Sequence, residues 1–189
     1  MTDSGAITSV KIVVAGGFGV GKTTFVSSLS EIRPLTTEAL LTEASTAVDD
    51  LSTLDKKSTT TVAMDFGRIT LEADLVLYMF GTPGQQRFWF MWDDLVTGAI
   101  GAVVLVDTRR LADSFAAVDY FEAAGLPFII GLNGFDGEFP YSSSDVCDAL
   151  SISERVPMVK CDARDPESTK VALLTLVEHA MSRERAAAG

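Results

Sequence analysis

Histidine, cysteine and positive charge are scarce in this chain of 189 residues. One histidine, His179, and two cysteines are too few for a Cys/His zinc site or a disulfide framework. Lysine and arginine together number 15 against 26 aspartates and glutamates, which gives a net charge of −11. Nucleic acid and anionic membrane surfaces repel so acidic a protein, so we expect neither as a main partner.

Long apolar runs are missing as well. The longest, such as residues 75–80, fall far short of the roughly 20 residues that span a bilayer. The first residues, Met-Thr-Asp-Ser, carry no signal pattern, Thr2 stands where myristoylation needs glycine, and the last residues offer no cysteine for prenylation. We expect a cytoplasmic protein without an intrinsic membrane anchor, which partners could recruit to a membrane.

Short apolar runs alternate with helical patterns along the chain. Six runs predict strands, and the order β-α-β-β-α-β-α-β-α-β-α predicts an α/β fold with a parallel sheet covered on both faces. Two runs with no helix between them, residues 62–71 and 75–80, predict an antiparallel hairpin. The other predicted strands are residues 10–15, 101–106, 128–132 and 156–159.

Two further segments carry distinct predictions. Asp165-Pro166 is typical of a helix start, and the last helix is expected to bury Val171, Leu174, Val177 and Met181. Residues 35–60 are long and polar for a connection within one domain, which is typical of a functional loop or a mobile segment. Residues 37–47 of this segment could carry a short helix.

A phosphate-binding loop is the strongest motif. Residues 16–23, Gly-Gly-Phe-Gly-Val-Gly-Lys-Thr, fit the pattern G-x-x-x-x-G-K-[ST] between a predicted strand and a predicted helix. In such a loop the backbone N–H groups and the helix N-terminus bind phosphate oxygens. Lys22 is expected to reach the β- and γ-phosphates and Thr23 to bind Mg²⁺. The predicted binding residues are Gly17, Phe18, Gly19, Val20, Gly21, Lys22, Thr23 and Thr24.

The chain resembles the Ras-like small GTPases from about residue 10 to residue 183. Residues 61–66 resemble the switch I segment, which makes Thr61 the threonine that binds Mg²⁺ and senses the γ-phosphate. Gly-Thr-Pro-Gly-Gln at residues 81–85 stands in the place of the D-x-x-G-Q motif. The resemblance therefore implies that Gly84 lies at the γ-phosphate and that Gln85 orients the attacking water, with Lys22 and Thr61 completing the catalytic set.

The base site is implied by two further segments. Asn-Gly-Phe-Asp at residues 133–136 stands in the place of N-K-x-D, and Cys-Asp-Ala-Arg at 161–164 in the place of S-A-K. The Asp136 carboxylate can accept hydrogen bonds from N1–H and the 2-amino group of guanine, a donor pair that adenine lacks. Asn133 would join the base loop to the phosphate loop, the Ala163 N–H would meet guanine O6, and the Arg164 stem would cover the base. The alternative is that Asn-Gly and Asp-Gly simply form turns.

The resemblance implies a three-layer P-loop NTPase G domain. Its expected sheet is mixed and six-stranded, with one antiparallel edge hairpin and helices on both faces. The predicted domain spans residues 10–183, between a flexible N-terminus, residues 1–9, and a flexible tail, residues 184–189. The implied function is a GTP-binding molecular switch with slow hydrolysis, with Mg²⁺ as cofactor and GTP or GDP as ligand. The alternatives are a nucleotide-binding scaffold that has lost hydrolysis and an ATP-binding P-loop protein.

Within that superfamily, the likeness is greatest to the small GTPases of actinobacterial conservon operons and more distant to MglA-type bacterial GTPases. Residues 16–24, 59–66 and 81–95 carry this likeness. Members of that branch work with a roadblock/LC7-fold protein and a sensor-kinase-like complex. The resemblance implies the same partners here.

Several residues depart from the family pattern. Gly81 replaces the aspartate that holds a Mg²⁺-bound water, and either Asp65 or Asp107 could substitute for it. Gly134 replaces the lysine whose stem covers the base. The Phe18 ring stands where a small residue admits a partner's arginine, so it should obstruct such an arginine finger. Arg87 near Gln85 could form a surface ion pair or contact the transition state.

Residues 88–92, Phe-Trp-Phe-Met-Trp, form an aromatic segment. It follows residues 81–85, Gly-Thr-Pro-Gly-Gln, which we call the γ-phosphate motif. Successive helical residues point about 100° apart, so one buried stripe cannot hold all five. We expect some of these side chains, Trp89 or Trp92 among them, to anchor a protein partner. The alternative is a helix that is buried on all sides.

Overall fold

The computed structural model describes residues 7–33, 35–42 and 59–189, and of residues 35–42 and 59–63 the backbone only. Seven strands in this part of the chain form one sheet. The strands are β1 (Thr8–Gly16), β2 (Leu35–Thr42), β3 (Thr59–Glu72), β4 (Leu75–Gly81), β5 (Gly101–Val106), β6 (Phe128–Asn133) and β7 (Met158–Cys161). The predicted α/β fold class, with helices on both sheet faces, is confirmed.

Five α-helices connect or follow these strands in the described residues. Three short 3-10 segments, Gln86–Met91, Thr108–Ser114 and Phe135–Gly137, follow β4, β5 and β6. The α-helices are α1 (Lys22–Leu29), α2 (Trp92–Val96), α3 (Phe115–Ala124), α4 (Ser143–Leu150) and α5 (Pro166–Ala188).

The strand order is β2-β3-β4-β1-β5-β6-β7. The pairs β4–β1, β1–β5, β5–β6 and β6–β7 are parallel, and the pairs β2–β3 and β3–β4 are antiparallel. Val14 in β1 lies between Gly81 of β4 and Val103 of β5. The carboxyl ends of parallel strands share one sheet edge, where ligands of such folds bind. That edge therefore carries the phosphate motif, Gly81 and the base motif together.

The sheet has one strand more than predicted. Residues 35–42, expected to be loop or short helix, form β2 and pair antiparallel with β3 from Leu35↔Phe66 to Thr42↔Thr59. The predicted hairpin of β3 and β4 is present, but β2 lies outside it at the sheet edge. The sequence Leu-Thr-Thr-Glu-Ala-Leu-Leu-Thr lacks the alternation of a half-buried strand, which is why the pattern did not indicate it. Residues 43–58 lie outside the described residues.

Two apolar clusters cover the two faces of the sheet. On one face α1 and α5 pack against strand residues such as Ile12 and Leu105, through Phe25 and Leu176 among others. On the other face α2, α3 and α4 pack around Trp92, Phe121 and Leu150. These helix layers fix the phosphate and base loops, because each loop leaves the sheet where a strand ends and enters a helix or short turn.

The final helix buries a different stripe from the predicted one. Asp165 caps α5 by accepting hydrogen bonds from the Glu167 and Ser168 N–H groups, and Pro166 opens it, as expected. The predicted face is wrong at three of its four positions: Val171, Leu174 and Met181 are exposed, and Val177 is half-buried. Small residues on the opposite stripe let the helix lie close to the sheet. The buried residues are Thr169, Ala172, Leu173, Leu176 and Ala180.

Flexible segments were expected at both ends of the chain, residues 1–9 and 184–189. The helix α5 continues through Ala188, into the segment expected to form a C-terminal tail. Residues 1–6 of the expected flexible N-terminus lie outside the described residues, and β1 begins at Thr8. Among the residues that the structure describes, no helix is both long and apolar enough to cross a bilayer.

Candidate functional site: a phosphate loop joined to a base loop

The phosphate loop connects β1 to α1 through left-handed glycines. Gly19 has φ 74° and Gly21 has φ 107°, a region that other residues avoid. A Cβ on Gly21 would lie 2.7 Å from the Asn133 Nδ2 atom, and a Cβ on Gly17 would lie 2.7 Å from the Asp113 Cβ atom. The motif glycines are therefore required by both backbone conformation and close packing.

Lys22 is buried at the start of α1, with 8% of its surface exposed. Its Nζ donates hydrogen bonds to the carbonyls of Gly16 at 3.0 Å and Gly17 at 2.8 Å. A Cβ on Gly84 would lie 2.9 Å from the same Nζ, so the γ-phosphate motif passes directly beside the lysine. Burial lowers the pKa of Lys22 to about 8, although the Asp65 charge opposes the shift. The lysine is thus positioned for a phosphate by the loop's own carbonyls.

A carboxylate from β3 lies beside Thr23 in the place that Gly81 leaves open. The Thr23 hydroxyl donates to Asp65 Oδ2 at 2.7 Å. A Cβ on Gly81 would lie 3.0 Å from the Asp65 Cβ and 3.1 Å from its Oδ2. The other candidate, Asp107, is engaged elsewhere: Arg109 donates to both of its carboxylate oxygens. Of the two candidates, Asp65 is the one that lies beside Thr23 and Gly81, and its replacement of the missing aspartate stays a prediction.

Hard oxygen donors of this kind are the ligands that Mg²⁺ prefers. Thr23 and Asp65 line an open cavity of about 380 Å³ together with residues of the phosphate loop. The Thr82 hydroxyl, buried beside that cavity, has no hydrogen-bond partner in the described part of the chain. The residues present fit a hydrated divalent cation next to a phosphate. For Thr61 only the backbone in β3 is described, so its role stays a prediction.

Gln85 lies on the surface after β4, next to Arg87. The Arg87 Nε donates to Gln85 Oε1 at 2.9 Å, and the guanidinium lies over the Phe88 ring, 4.7 Å from its centroid. Among the described residues Arg87 forms no ion pair, and its contact with a transition state stays a prediction. In this arrangement the Gln85 amide is held by Arg87, and its role in orienting water remains a prediction.

The aromatic segment, residues 88–92, is divided between core and surface. Phe88 and Trp92 are buried, and the Trp92 Nε1 donates to the Pro83 carbonyl at 3.2 Å. Trp89 is half-buried, and Phe90 is 64% exposed. The expectation that Trp92 could anchor a partner is wrong, because its ring packs on Tyr120 and Phe121. Phe90 is the large apolar side chain that this segment leaves in solvent.

Asn133 joins the base loop to the phosphate loop. Its Nδ2 donates to the Val20 carbonyl at 2.9 Å, and its Oδ1 accepts from the Ala163 N–H at 3.0 Å. The side chain is buried, so three loops are held together at the carboxyl ends of β1, β6 and β7. The Ala163 N–H, which the resemblance directs to guanine O6, is bonded to Asn133 in this structure.

Asp136 stands at the open end of the base loop. Its backbone is left-handed, with φ 59°, and its side chain is 89% exposed. Arg164 Nη1 lies 4.0 Å from Asp136 Oδ1, while the same guanidinium makes two shorter hydrogen bonds to Asp162. The carboxylate is thus free to accept hydrogen bonds from a base, and Arg164 lies at the rim of the same site.

Phe139 fills the space beside Gly134 that a lysine stem would need. A Cβ on Gly134 would overlap the Phe139 ring. The Lys160 Nζ lies 5.3 Å from the centroid of that ring. Two contacts of the site were not predicted from the sequence: Phe139 packs on Gly134, and Arg110 Nη1 donates to the Phe18 carbonyl of the phosphate loop. Neither Phe139 nor Arg110 belongs to a recognisable sequence motif.

Comparisons with known proteins agree with a nucleotide site. Residues 14–183 match the family described as "Conserved hypothetical ATP binding protein". The uncharacterized protein MJ1339 of Methanocaldococcus jannaschii is 30% identical over 129 residues, which cover 67% of this chain and 71% of the relative. No comparison supports the closer likeness to conservon-encoded or MglA-type GTPases.

Solved structures of similar fold include FeoB iron transporter domains. The cytosolic domain of T. maritima FeoB in its GDP form superposes with a TM-score of 0.66 at 16% identity, over 93% of this chain. The chain spans 65% of that domain. The G domains of the T. maritima and Methanococcus jannaschii FeoB proteins match at TM-scores of 0.62 and 0.60, with 18% and 16% identity. There the match covers 92% and 91% of this chain and 99% of each G domain. At these identities the likeness establishes a P-loop G-domain fold.

Proposed function

The chain belongs to the family of conserved hypothetical ATP binding proteins, and we propose that within it this protein is a GTP-binding molecular switch that hydrolyses GTP slowly. The P-loop fold supports nucleotide binding, and so does a phosphate loop whose carbonyls hold Lys22 in place. The choice of guanine depends on the base loop, and the switch function depends on the γ-phosphate motif beside Lys22.

The Asp136 carboxylate is the observation that carries the choice of guanine. It is exposed at the rim of the base loop, and the buried Asn133 fixes that loop to the phosphate loop. Guanine offers two adjacent N–H donors to one carboxylate, whereas adenine offers none at those positions. The family description names ATP, so ATP binding is the competing function, and it would leave Asp136 without a partner on the base.

Mg²⁺ fits the oxygen donors of Thr23 and Asp65, and Thr61 is the third expected ligand. When bound there, the ion would neutralise charge on the β- and γ-phosphate oxygens. The protein's own contribution is to position the phosphates with the loop N–H groups and Lys22.

Slow turnover follows from the state of Gln85. Its amide oxygen is held by Arg87 on the surface, so the side chain must rearrange before it can orient a water. We expect hydrolysis by the isolated protein at or below about 10⁻⁴ s⁻¹, the range of unassisted small GTPases. A scaffold without hydrolysis is the alternative, and a single-turnover assay with pre-bound GTP separates the two.

Competition between nucleotides tests the base assignment. Labelled GTP bound to the protein with Mg²⁺ should be displaced by unlabelled GTP and much less by ATP. Asp136→Asn should weaken GTP and shift preference toward xanthine nucleotides, because a 2-oxo group pairs with an amide donor. Asp148→Asn, which alters an exposed carboxylate on α4 away from the base loop, serves as the control. Equal displacement by ATP and GTP would refute the guanine assignment and favour ATP.

We also propose a protein partner that contacts Phe90, in keeping with the roadblock/LC7-fold protein and sensor-kinase-like complex that the resemblance implies. Phe90→Ala should weaken binding to a roadblock-fold protein by about 2 kcal/mol, as for an exposed aromatic anchor. Phe115→Ala, which removes an exposed ring elsewhere, is the control. Unchanged binding of the Phe90 variant would exclude this surface.

A further inference from the structure

Arg110 lies against the phosphate loop, although 92 residues separate it from Phe18. Its Nη1 donates to the Phe18 carbonyl at 3.4 Å and lies 3.9 Å from the position of a Cβ on Gly19. The backbone at Arg110, with φ −139° and ψ 47°, interrupts the 3-10 segment Thr108–Ser114. The segment after β5 thus brings a guanidinium to the middle of the phosphate loop.

The contacts that hold this guanidinium are weak enough to be exchanged. Its acidic partner is Asp113, three residues further on, and both side chains are substantially exposed, 56% and 40%. Solvent screens such pairs, so they contribute little to stability. The Phe18 carbonyl is an uncharged acceptor, and its hydrogen bond with Arg110 is long. Phosphate oxygens of a nucleotide carry more charge and accept from arginine in bidentate geometry, so they can replace both partners.

The other cations near the site are committed to stronger contacts. Lys22 is bonded to two carbonyls of the loop, and Arg109 makes a bidentate pair with Asp107 while it stacks on Phe135 at 3.8 Å. Arg87 is bonded to Gln85. Within residues 7–33, 35–42 and 59–189, Arg110 is the arginine whose guanidinium donates to the phosphate-loop backbone.

The Phe18 ring on the phosphate loop is 63% exposed, and a ring in that place would obstruct an arginine inserted by another protein. We propose that Arg110 is an arginine supplied in cis, which contacts the γ-phosphate and the β–γ bridging oxygen during hydrolysis. This proposal rests on the proposed function and adds a catalytic residue to it. When GTP is bound, the guanidinium leaves Asp113 and binds the phosphate oxygens.

The reaction that Arg110 would assist is hydrolysis. The oxygen of water forms a bond to the γ-phosphorus, and the bond between that phosphorus and the β–γ bridging oxygen breaks. The bridging oxygen keeps the electron pair and becomes a terminal oxygen of GDP, while one proton of the water stays on the phosphate product and the other passes to phosphate or solvent. Negative charge grows on the bridging oxygen, and a guanidinium beside it stabilises the transition state more than the ground state.

Single-turnover hydrolysis of pre-bound GTP tests this role. Arg110→Ala should lower the rate by about tenfold or more, while GDP affinity changes by less than about twofold, since GDP lacks the γ-phosphate. Arg110→Lys should give an intermediate rate, because lysine keeps the charge and loses the bidentate fork. Asp113→Asn should raise the rate about twofold to fivefold, because it releases Arg110 from its ion pair. Arg155→Ala, an exposed arginine on the loop before β7, is the control.

Binding of a transition-state analogue gives a second measurement, one that does not depend on the stability of the phosphate loop. Wild-type protein with GDP, Mg²⁺ and aluminium fluoride should form a ternary complex, detected by the fluorescence of Trp89 and Trp92. Arg110→Ala should not form it, although it still binds GDP. Melting temperatures of all variants verify that they fold.

The outcomes separate the two proposals. Wild-type rate and complex formation in Arg110→Ala would overturn the role of Arg110 and leave the GTP switch intact. A parallel loss of GDP affinity and hydrolysis would assign Arg110 to loop structure and also overturn its catalytic role. A wild-type protein that binds GTP without hydrolysing it, or prefers ATP, would contradict the proposed function itself, and absence of hydrolysis would overturn the Arg110 proposal with it.

Discussion

The phosphate end and the base end of the site differ in how far the protein completes them by itself. At the phosphate end Lys22 is buried and bonded to two loop carbonyls, and Thr23 is bonded to Asp65. At the base end Asp136 is 89% exposed, and its nearest cation is 4.0 Å away. Asn133 joins the two ends. The side chains of the phosphate end are therefore fixed by the protein's own hydrogen bonds, whereas the Asp136 carboxylate at the base end is left to accept hydrogen bonds from a base.

This difference separates affinity from selectivity. Changes at the phosphate end should weaken every nucleotide, because all of them share the phosphates. Changes at the base end should alter the preference between bases and cost less overall affinity. Each experiment below tests whether that division holds, from the largest expected effect to the smallest.

Lys22→Ala should cause the largest loss. Removing the buried charge that faces the phosphates should weaken GTP, GDP and ATP alike by about 3 kcal/mol, or roughly a hundredfold. Titration with a fluorescent GDP analogue measures the effect, with Lys170→Ala on the exposed side of α5 as the control. A loss of less than about threefold would mean that the loop N–H groups bind phosphate without the lysine.

An exchange of Asp65 and Gly81 tests which carboxylate serves the cation. Gly81→Asp should lower Mg²⁺-dependent GTP affinity about tenfold, because its Cβ would crowd Asp65 and place two carboxylates together. Asp65→Gly should lower it similarly by removing the carboxylate. The double variant, with one aspartate at position 81, should recover most of the loss. Additive losses in the double variant would show that the two positions do not share one role.

The pH dependence of binding follows from Lys22. Its pKa in the unliganded protein is lowered to about 8 by burial, and a bound phosphate favours the charged form. Affinity should be constant below about pH 8 and fall by up to about tenfold per unit above it, with proton uptake on binding. Stability of the unliganded protein should change in the opposite sense, rising between pH 8 and the ordinary lysine pKa. Calorimetry in buffers of different ionisation enthalpy measures the proton uptake, and its absence above pH 8 would contradict the assignment.

Introducing the lysine of the N-K-x-D motif at position 134 should destabilise the protein. In Gly134→Lys the new Cβ would overlap the Phe139 ring, so we expect a loss of about 1–3 kcal/mol of stability from overpacking and a melting temperature several degrees lower. GTP affinity should fall only a few-fold. Adding Phe139→Ala should recover the melting temperature. An unchanged melting temperature of the single variant would mean that Phe139 moves freely.

The sequence was most informative where a motif fixes local geometry. Residues 16–23 require their glycines for backbone reasons, and the six apolar runs became β1 and β3 to β7. The strand β2 was missed because an edge strand can form through backbone hydrogen bonds to β3 without an apolar pattern of its own. The face of α5 was misassigned because small buried residues such as Ala172 and Ala180 give a weaker signal than exposed valine and leucine.

Residues that meet only in the folded chain could not be chosen from the sequence. Asp65 and Asp107 were both candidates from the sequence, and the pairing of β3 with β4 places Asp65 beside Gly81. The contact of Arg110 with Phe18 depends on how the segment after β5 passes the phosphate loop. Such contacts are set by sheet topology, which the order of motifs does not specify.

Hydrogen exchange in two nucleotide states tests the central claim, that the protein is a switch. The GDP form and the form with a non-hydrolysable GTP analogue, both with Mg²⁺, are compared over the γ-phosphate motif and the segment Gln86–Met91 that follows it. The account predicts slower exchange there with the GTP analogue, because a γ-phosphate beside Lys22 contacts Gly84 and restrains Gln85. The helix α5, on the far side of β1 from this motif, should exchange equally in both states. Identical protection of the motif and Gln86–Met91 in the two states would contradict the switch, whatever nucleotide the protein binds.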